Sequence, residues 1–136
     1  MIDTDWKALV AAASRARRAA YAPYSGYQVG AAVLAGSGRI FEGCNVENAS
    51  FGLALCAERS AVAQLVASGE RILLAVAVVT AGPEPGAPCG LCRQMLAEFT
   101  DDIPIALAVA GDVDPRKMTS LSDLLPQPFR GDLLRH

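Results

Sequence analysis

Apolar positions along the first twenty residues recur at spacings of three and four. Trp6, Leu9, Val10, Ala13, Ala16, Arg17 and Ala20 share one stripe of a helix that begins near Thr4 or Asp5. Pro23 and Gly26 end that pattern, because proline disfavours helix at the residue before it and glycine supplies turn geometry. Two extended segments follow, over 27–34 and 39–44, with Gly36-Ser37-Gly38 between them as the turn of a hairpin. From 56 to 69 there is no proline, and Ala57, Ala61, Val62, Leu65 and Val66 repeat at helical spacing up to a C-cap at Gly69. Residues 72–79 are apolar on both faces, as in a strand covered by helices on both sides. After a Pro/Gly-rich loop, Cys92, Met95, Leu96 and Phe99 predict a third helix, and 103–109 another buried strand. Ser120-x-x-Asp123 has the form of a capping box opening a short helix that Pro126 ends. The order α-β-β-α-β-α-β predicts an α/β fold, a three-layer α-β-α sandwich around a mixed sheet of about five strands.

At 136 residues, the length suits one domain over 1–136 with a single core. The hydrophobic fraction is 52%, yet the longest apolar run, 72–79, falls well short of the roughly 20 residues a membrane span needs. No membrane association is expected. The N-terminal residues lack a basic stretch followed by an apolar one, so the expected address is cytoplasmic. There the four cysteines stay reduced, and a Cys-x-x-Cys pair reads first as metal-binding or redox-active. A net charge of −2 gives no footprint for nucleic acid, and a small neutral ligand fits better than a polyanion. Arg15, Arg17 and Arg18 read as a solvated helix face. The single histidine, His136, is not read as a ligand, and Cys44 reads as a small buried hydrophobe.

The candidate chemistry lies in Cys56-Ala57-Glu58 and Pro88-Cys89-Gly90-Leu91-Cys92. Cys89 and Cys92, three apart at a helix start, share one face. Cys56 and Glu58 can share a site only if both lie in the first turn of their helix. Two helix N-termini meeting at one metal are physically sensible, because their positive ends stabilise thiolates. Three protein ligands leave a tetrahedral Zn²⁺ one open position for water, as in catalytic sites. Arg59 is the candidate to withdraw charge from the sulfurs, and Glu58 suits a proton shuttle better than a fourth ligand. A structural zinc site or a redox pair are the alternatives. In an extended 45–47 segment, Asn45 and Glu47 share a face and could grip a hydroxyl-rich group.

Cys-Ala-Glu-Arg at 56–59 together with Pro-Cys-Gly-Leu-Cys-Arg at 88–93 resembles the zinc-dependent nucleoside and nucleobase deaminases. Gly-Cys-Asn-Val-Glu-Asn-Ala-Ser at 43–50 and Pro-Tyr-Ser at 23–25 are similar to the small, homotetrameric cytidine deaminases within that group. The resemblance runs from about residue 21 to 129. It implies zinc on Cys56, Cys89 and Cys92, proton transfer by Glu58, and ribose hydroxyls held by Asn45 and Glu47. It also implies that the Ala57 backbone contacts the pyrimidine edge and that an aromatic at Tyr27 packs on the base, where phenylalanine is the family's usual residue. Ala49 and Phe51 from one neighbouring subunit and Phe129 from another would complete the pocket of a homotetramer. The activity implied is deamination of cytidine and 2′-deoxycytidine in pyrimidine salvage. Rival readings are a blasticidin S type aminonucleoside deaminase, a polynucleotide editor, and a non-catalytic zinc-stabilised module.

Overall fold

The computed structural model describes residues 3–134, so His136 lies outside the described residues. Asp5 caps the first helix, α1 (Trp6–Arg17), and its carboxylate accepts from the Ala8 N–H at 3.0 Å. That bond satisfies one of the donors a helix start leaves open. Leu9, Val10, Ala12 and Ala13 form its buried side, while Ala20 falls beyond its end. Arg15 and Arg18 are exposed, as a solvated face should be, while two bonds anchor this side of the helix: Arg15 pairs with Glu42 at 2.8 Å, and Arg17 donates to the Gln28 carbonyl at 2.9 Å.

Strands β1 (Gly30–Ala35) and β2 (Ile40–Cys44) form the expected antiparallel hairpin. β1 starts three residues later than the 27–34 pattern suggests, because a side chain engages that backbone first. Val29 N–H donates to Asn45 Oδ1 at 2.8 Å, and Asn45 Nδ2 donates to the Tyr27 carbonyl at 2.9 Å. Cys44 is only partly buried at the end of β2, which corrects its reading as a core residue. Helix α2 (Ala57–Ala67) ends as expected at Gly69, which has φ +99°. Its N–H donates to Val66, and that of Glu70 to Leu65, a Schellman closure.

The remaining elements are β3 (Leu73–Thr80), α3 (Gly90–Ala97), β4 (Pro104–Val109), β5 (Lys117–Ser120) and α4 (Leu121–Leu124). The five strands lie in the order β2-β1-β3-β4-β5. Only the β3–β4 pair is parallel, so the sheet is mixed. β5 carries no apolar signal in the sequence. It is an edge strand paired on one side only, with Lys117 and Met118 exposed, and an edge needs no alternating apolar face. The capping box before α4 is half formed: Asp123 N–H donates to Ser120 Oγ at 3.2 Å.

α1 covers one sheet face through Leu9, Val10, Ala13, Ala32, Ala77, Ala106 and Ala108. α2, α3 and α4 cover the other, where Val33, Val76, Val78, Ile105 and Leu107 meet Val62, Leu65, Leu96 and Leu121. Two glycines set the layer spacing. A Cβ on Gly30 would lie 1.9 Å from the Ala13 carbonyl oxygen, and one on Gly43 would lie 2.4 Å from the Ala61 nitrogen and 2.5 Å from the Ala57 oxygen. The absence of a side chain at Gly43 therefore lets α2, with its catalytic motif, rest directly on β2. Among the described residues, no helix is long and apolar enough to cross a membrane.

Candidate active site

Cys56 is the N-cap of α2 and Cys89 the N-cap of α3, and neither thiol makes a capping hydrogen bond. Both helices thus present open N–H groups and the positive ends of their dipoles where the sulfurs gather. α3 begins at the Cys-x-x-Cys motif, as expected, so Cys92 occupies its third position, facing back toward Cys89. Cys56 Sγ lies 3.6 Å from Cys89 Sγ, and Cys89 Sγ lies 3.5 Å from Cys92 Sγ. All three sulfurs fall within 4.8 Å of one another. Zn–S bonds of about 2.3 Å in a tetrahedron set sulfurs roughly 3.8 Å apart, so the donor set fits one zinc ion.

The electrostatics match that fit. Contact with Cys92, helped by Arg59, pulls the Cys56 thiol pKa down, whereas contact with Cys56 and burial push the Cys92 thiol up. Three touching sulfurs can all ionise only if a cation offsets their charge, which is what a metal ion supplies. Arg59 Nη2 donates to the Ala54 carbonyl at 3.0 Å and lies 3.9 Å from Cys56 Sγ. Its positive charge is therefore held beside the thiolate.

Glu58 follows one residue into α2 and is 4% exposed. Burial raises its carboxyl pKa, and the neighbouring Cys56 charge adds to the shift. It faces a cavity of about 320 Å³ that Cys56, Cys89 and Ala57 also line, with Tyr27, Asn45 and Glu47 around it. Glu47 Oε1 accepts from the backbone N–H groups of Tyr24 at 2.9 Å and Ser25 at 3.1 Å, and the Ser25 hydroxyl donates to Oε2. The Ser25 hydroxyl is the main reason the Glu47 carboxylate sits below its usual pKa. Seven of the expected residues, Cys56, Cys89, Glu58, Ala57, Tyr27, Asn45 and Glu47, therefore surround one cavity, with Cys92 buried behind Cys89 and Arg59 beside Cys56.

Ala49, Phe51 and Phe129 do not line this cavity within the chain. Phe51 is 84% exposed and Phe129 56% exposed. Phe51 borders an adjoining cavity with Tyr24, Ser25, Glu47, Asn48 and Ala54. Two contributors went unread in the sequence. Ser25 orders both Glu47 and the Tyr27 N–H, which donates to its Oγ at 2.9 Å. Thr80, buried at the end of β3, accepts from Gly86 N–H at 2.9 Å and so pins the loop over the cavity. The hydroxyl ending an otherwise apolar strand was its only available signal.

The fold and the three-sulfur centre define a class: α/β domains that hold one zinc ion between two helix N-termini, with a buried carboxyl group beside it. Residues 3–107 match the family described as the cytidine and deoxycytidylate deaminase zinc-binding region. A cytidine deaminase of Mycobacterium tuberculosis is 45% identical over 129 residues, covering 95% of this chain and 92% of that protein. One from Sporosarcina psychrophila is 42% identical over 127 residues, covering 92% and 91%. The crystal structure of cytidine deaminase from Burkholderia pseudomallei superposes with a TM-score of 0.84 at 45% identity, covering 93% of this chain and 100% of that one. The chain belongs to the cytidine and deoxycytidylate deaminase family, and the metal its centre is built for is Zn²⁺.

Proposed function

We propose that the chain is a cytidine deaminase, converting cytidine and 2′-deoxycytidine with water to uridine or 2′-deoxyuridine and ammonia. One observation carries the reading: the buried Glu58 carboxyl lies beside three metal-ligating sulfurs, at a cavity bordered by a polar pair suited to a sugar. Zinc on Cys56, Cys89 and Cys92 would supply water acidified enough to act as a nucleophile. Glu58 would take one proton from that water and deliver it to N3, then take the second proton from the hydroxyl now on C4 and deliver it to the amine, which leaves as ammonia as the C4 carbonyl forms. Its raised pKa supports the shuttle, because a carboxylate made more basic than usual takes up a proton more readily. Arg59 offsets thiolate charge, so the metal keeps more of its acidifying power.

Asn45 and Glu47 hold the ribose hydroxyls. Three donors from Tyr24 and Ser25 preorganise Glu47 for this, and two backbone partners fix the Asn45 amide. That sugar-gripping pair favours a nucleoside over a blasticidin-like aminonucleoside. The Ala57 backbone meets the pyrimidine edge, and the Tyr27 ring packs on the base with its hydroxyl toward Gly86.

The protein works as a homotetramer in this reading, with Ala49 and Phe51 of one neighbour and Phe129 of another closing each pocket. The exposure of Phe51, Leu53, Leu91 and Phe129 supports it, since an aromatic and aliphatic surface of this kind fits a buried interface. Residues 1–136 act as one catalytic domain, in the cytoplasm and in pyrimidine salvage. The test is loss of cytidine's ultraviolet absorbance with zinc-replete protein. Glu58→Gln should lower kcat by at least about a hundredfold while zinc content and thermal unfolding stay unchanged. Equal turnover by the variant would refute the assigned chemistry.

A further inference from the structure

Residues 125–130 carry no helix or strand, yet they are tied to the α3 region at both ends: at the helix that precedes them, by the Gln94 side chain at the Phe129 backbone, and by the Arg130 side chain at the end of α3. Arg93 Nη1 donates to the Leu124 carbonyl at 2.9 Å. Gln94 pairs with Phe129 as one peptide pairs with another in a sheet: Gln94 Nε2 donates to the Phe129 carbonyl at 2.7 Å, and Phe129 N–H donates to Gln94 Oε1 at 3.1 Å. On the other side, Arg130 Nη1 donates to the carbonyls of Ala97 and Thr100, and Nη2 lies 3.7 Å from Asp101 Oδ1.

Ordering an irregular segment costs backbone entropy. Burial of its largest apolar side chain is the usual compensation. Here the ring of Phe129 gains little burial in its own chain, because it stands 56% exposed while its peptide is clamped at both N–H and C=O. A pinned backbone presenting a free aromatic ring is built to insert that ring into a second molecule.

We propose that Gln94 is a positioning residue that acts between subunits: it aims the Phe129 ring of its own chain into the pocket of a second copy of this chain. The proposal rests on the shared-pocket reading above and adds the device that makes sharing possible. α3 then serves two pockets. Its first turn supplies Cys89 and Cys92 to its own centre, and its next residues hold a lid over a neighbour's.

The experiment compares Gln94→Ala, Arg130→Ala and Phe129→Ala in cytidine turnover, and then mixes subunits. Losing the paired hydrogen bonds should raise KM about tenfold with kcat within about twofold of wild type, since the lid aids binding rather than proton transfer. Zinc content should not change. Gln94→Ala subunits are then co-assembled with excess Glu58→Gln subunits, whose own sites are inactive but whose Phe129 segments are intact. Working sites then receive sound lids, and their KM should return toward wild type. A merely structural defect within the Gln94→Ala subunit would not be rescued this way, and a KM that stays high on mixing overturns the proposal. If Phe129→Ala raises KM and Gln94→Ala does not, the shared pocket stands and the role of Gln94 falls. If Phe129→Ala leaves KM at the wild-type value, the shared pocket falls and takes the proposal with it. Should Gln94→Ala fail to fold, Arg130→Ala releases the same segment from its other side and carries the same expectations.

Discussion

Two carboxylates that line the same cavity take opposite electrostatic paths. Burial raises Glu58, whereas hydrogen bonds from Ser25 and the Tyr24 N–H lower Glu47. The first is a stronger base than an ordinary carboxylate and the second a weaker one, in keeping with the shuttle and sugar-binding roles proposed for them. The folded pKa of Glu47 lies below its unfolded value, so its bonds stabilise the fold above the ordinary carboxylate range. That contribution is lost as pH falls through the folded value. Ser25→Ala removes the leading cause of the shift and should move the acidic limb of the kcat/KM profile to higher pH, with the basic limb unmoved. An unchanged acidic limb would show that the backbone donors alone keep Glu47 charged. At this scale most of the site was legible. Cys56, Glu58, Cys89 and Cys92 declare themselves through spacing, because ligand geometry at a helix start tolerates few alternatives. The roles of Ser25 and Thr80 were not legible, since Ser25 bonds a carboxylate 22 residues away and Thr80 acts through the fold of an irregular loop, neither of which periodicity encodes.

Each metal-bearing helix begins with a cysteine where a serine, threonine or aspartate usually caps, and its position depends on what lies beneath. For α2 that is Gly43. Gly43→Ala would set a methyl group against the Ala57 and Ala61 backbone and force the helix off β2. Overpacking of this kind costs about 1–3 kcal/mol. We expect a lower melting temperature together with weaker zinc retention and kcat. Normal zinc content in a destabilised Gly43→Ala would separate the glycine's packing role from its support of the centre. The elements with a strong period were readable: α1, the hairpin, α2 and the two central strands all lie where the pattern puts them, within a few residues. β5 was not readable, because its stability comes from the ladder with β4 rather than from an apolar face. The start of β1 was misplaced because the Asn45 side chain, a long-range partner, captures the backbone before it.

For the molecule as a whole, the chain buries a two-sided core yet leaves Phe51, Leu53, Leu91 and Phe129 in solvent. Sedimentation equilibrium should report a species of four 14.2 kDa chains, and a stable, fully active monomer would dismiss the shared pocket. The sheet's unequal faces have a separate consequence, in how the gene tolerates change. Along β4, Ile105 and Leu107 point to the catalytic side, while Ala106 and Ala108 rest under α1. Trimming Leu107→Ala should cost about 2–5 kcal/mol through a cavity, and enlarging Ala106→Leu about 1–3 kcal/mol through overpacking. A saturation scan of this strand, read by melting temperature, should therefore show size preferences that reverse at every residue. Neutral drift can then enlarge one face only as fast as the α1 layer retreats, so the smallest side chains in the core should be among the slowest to change.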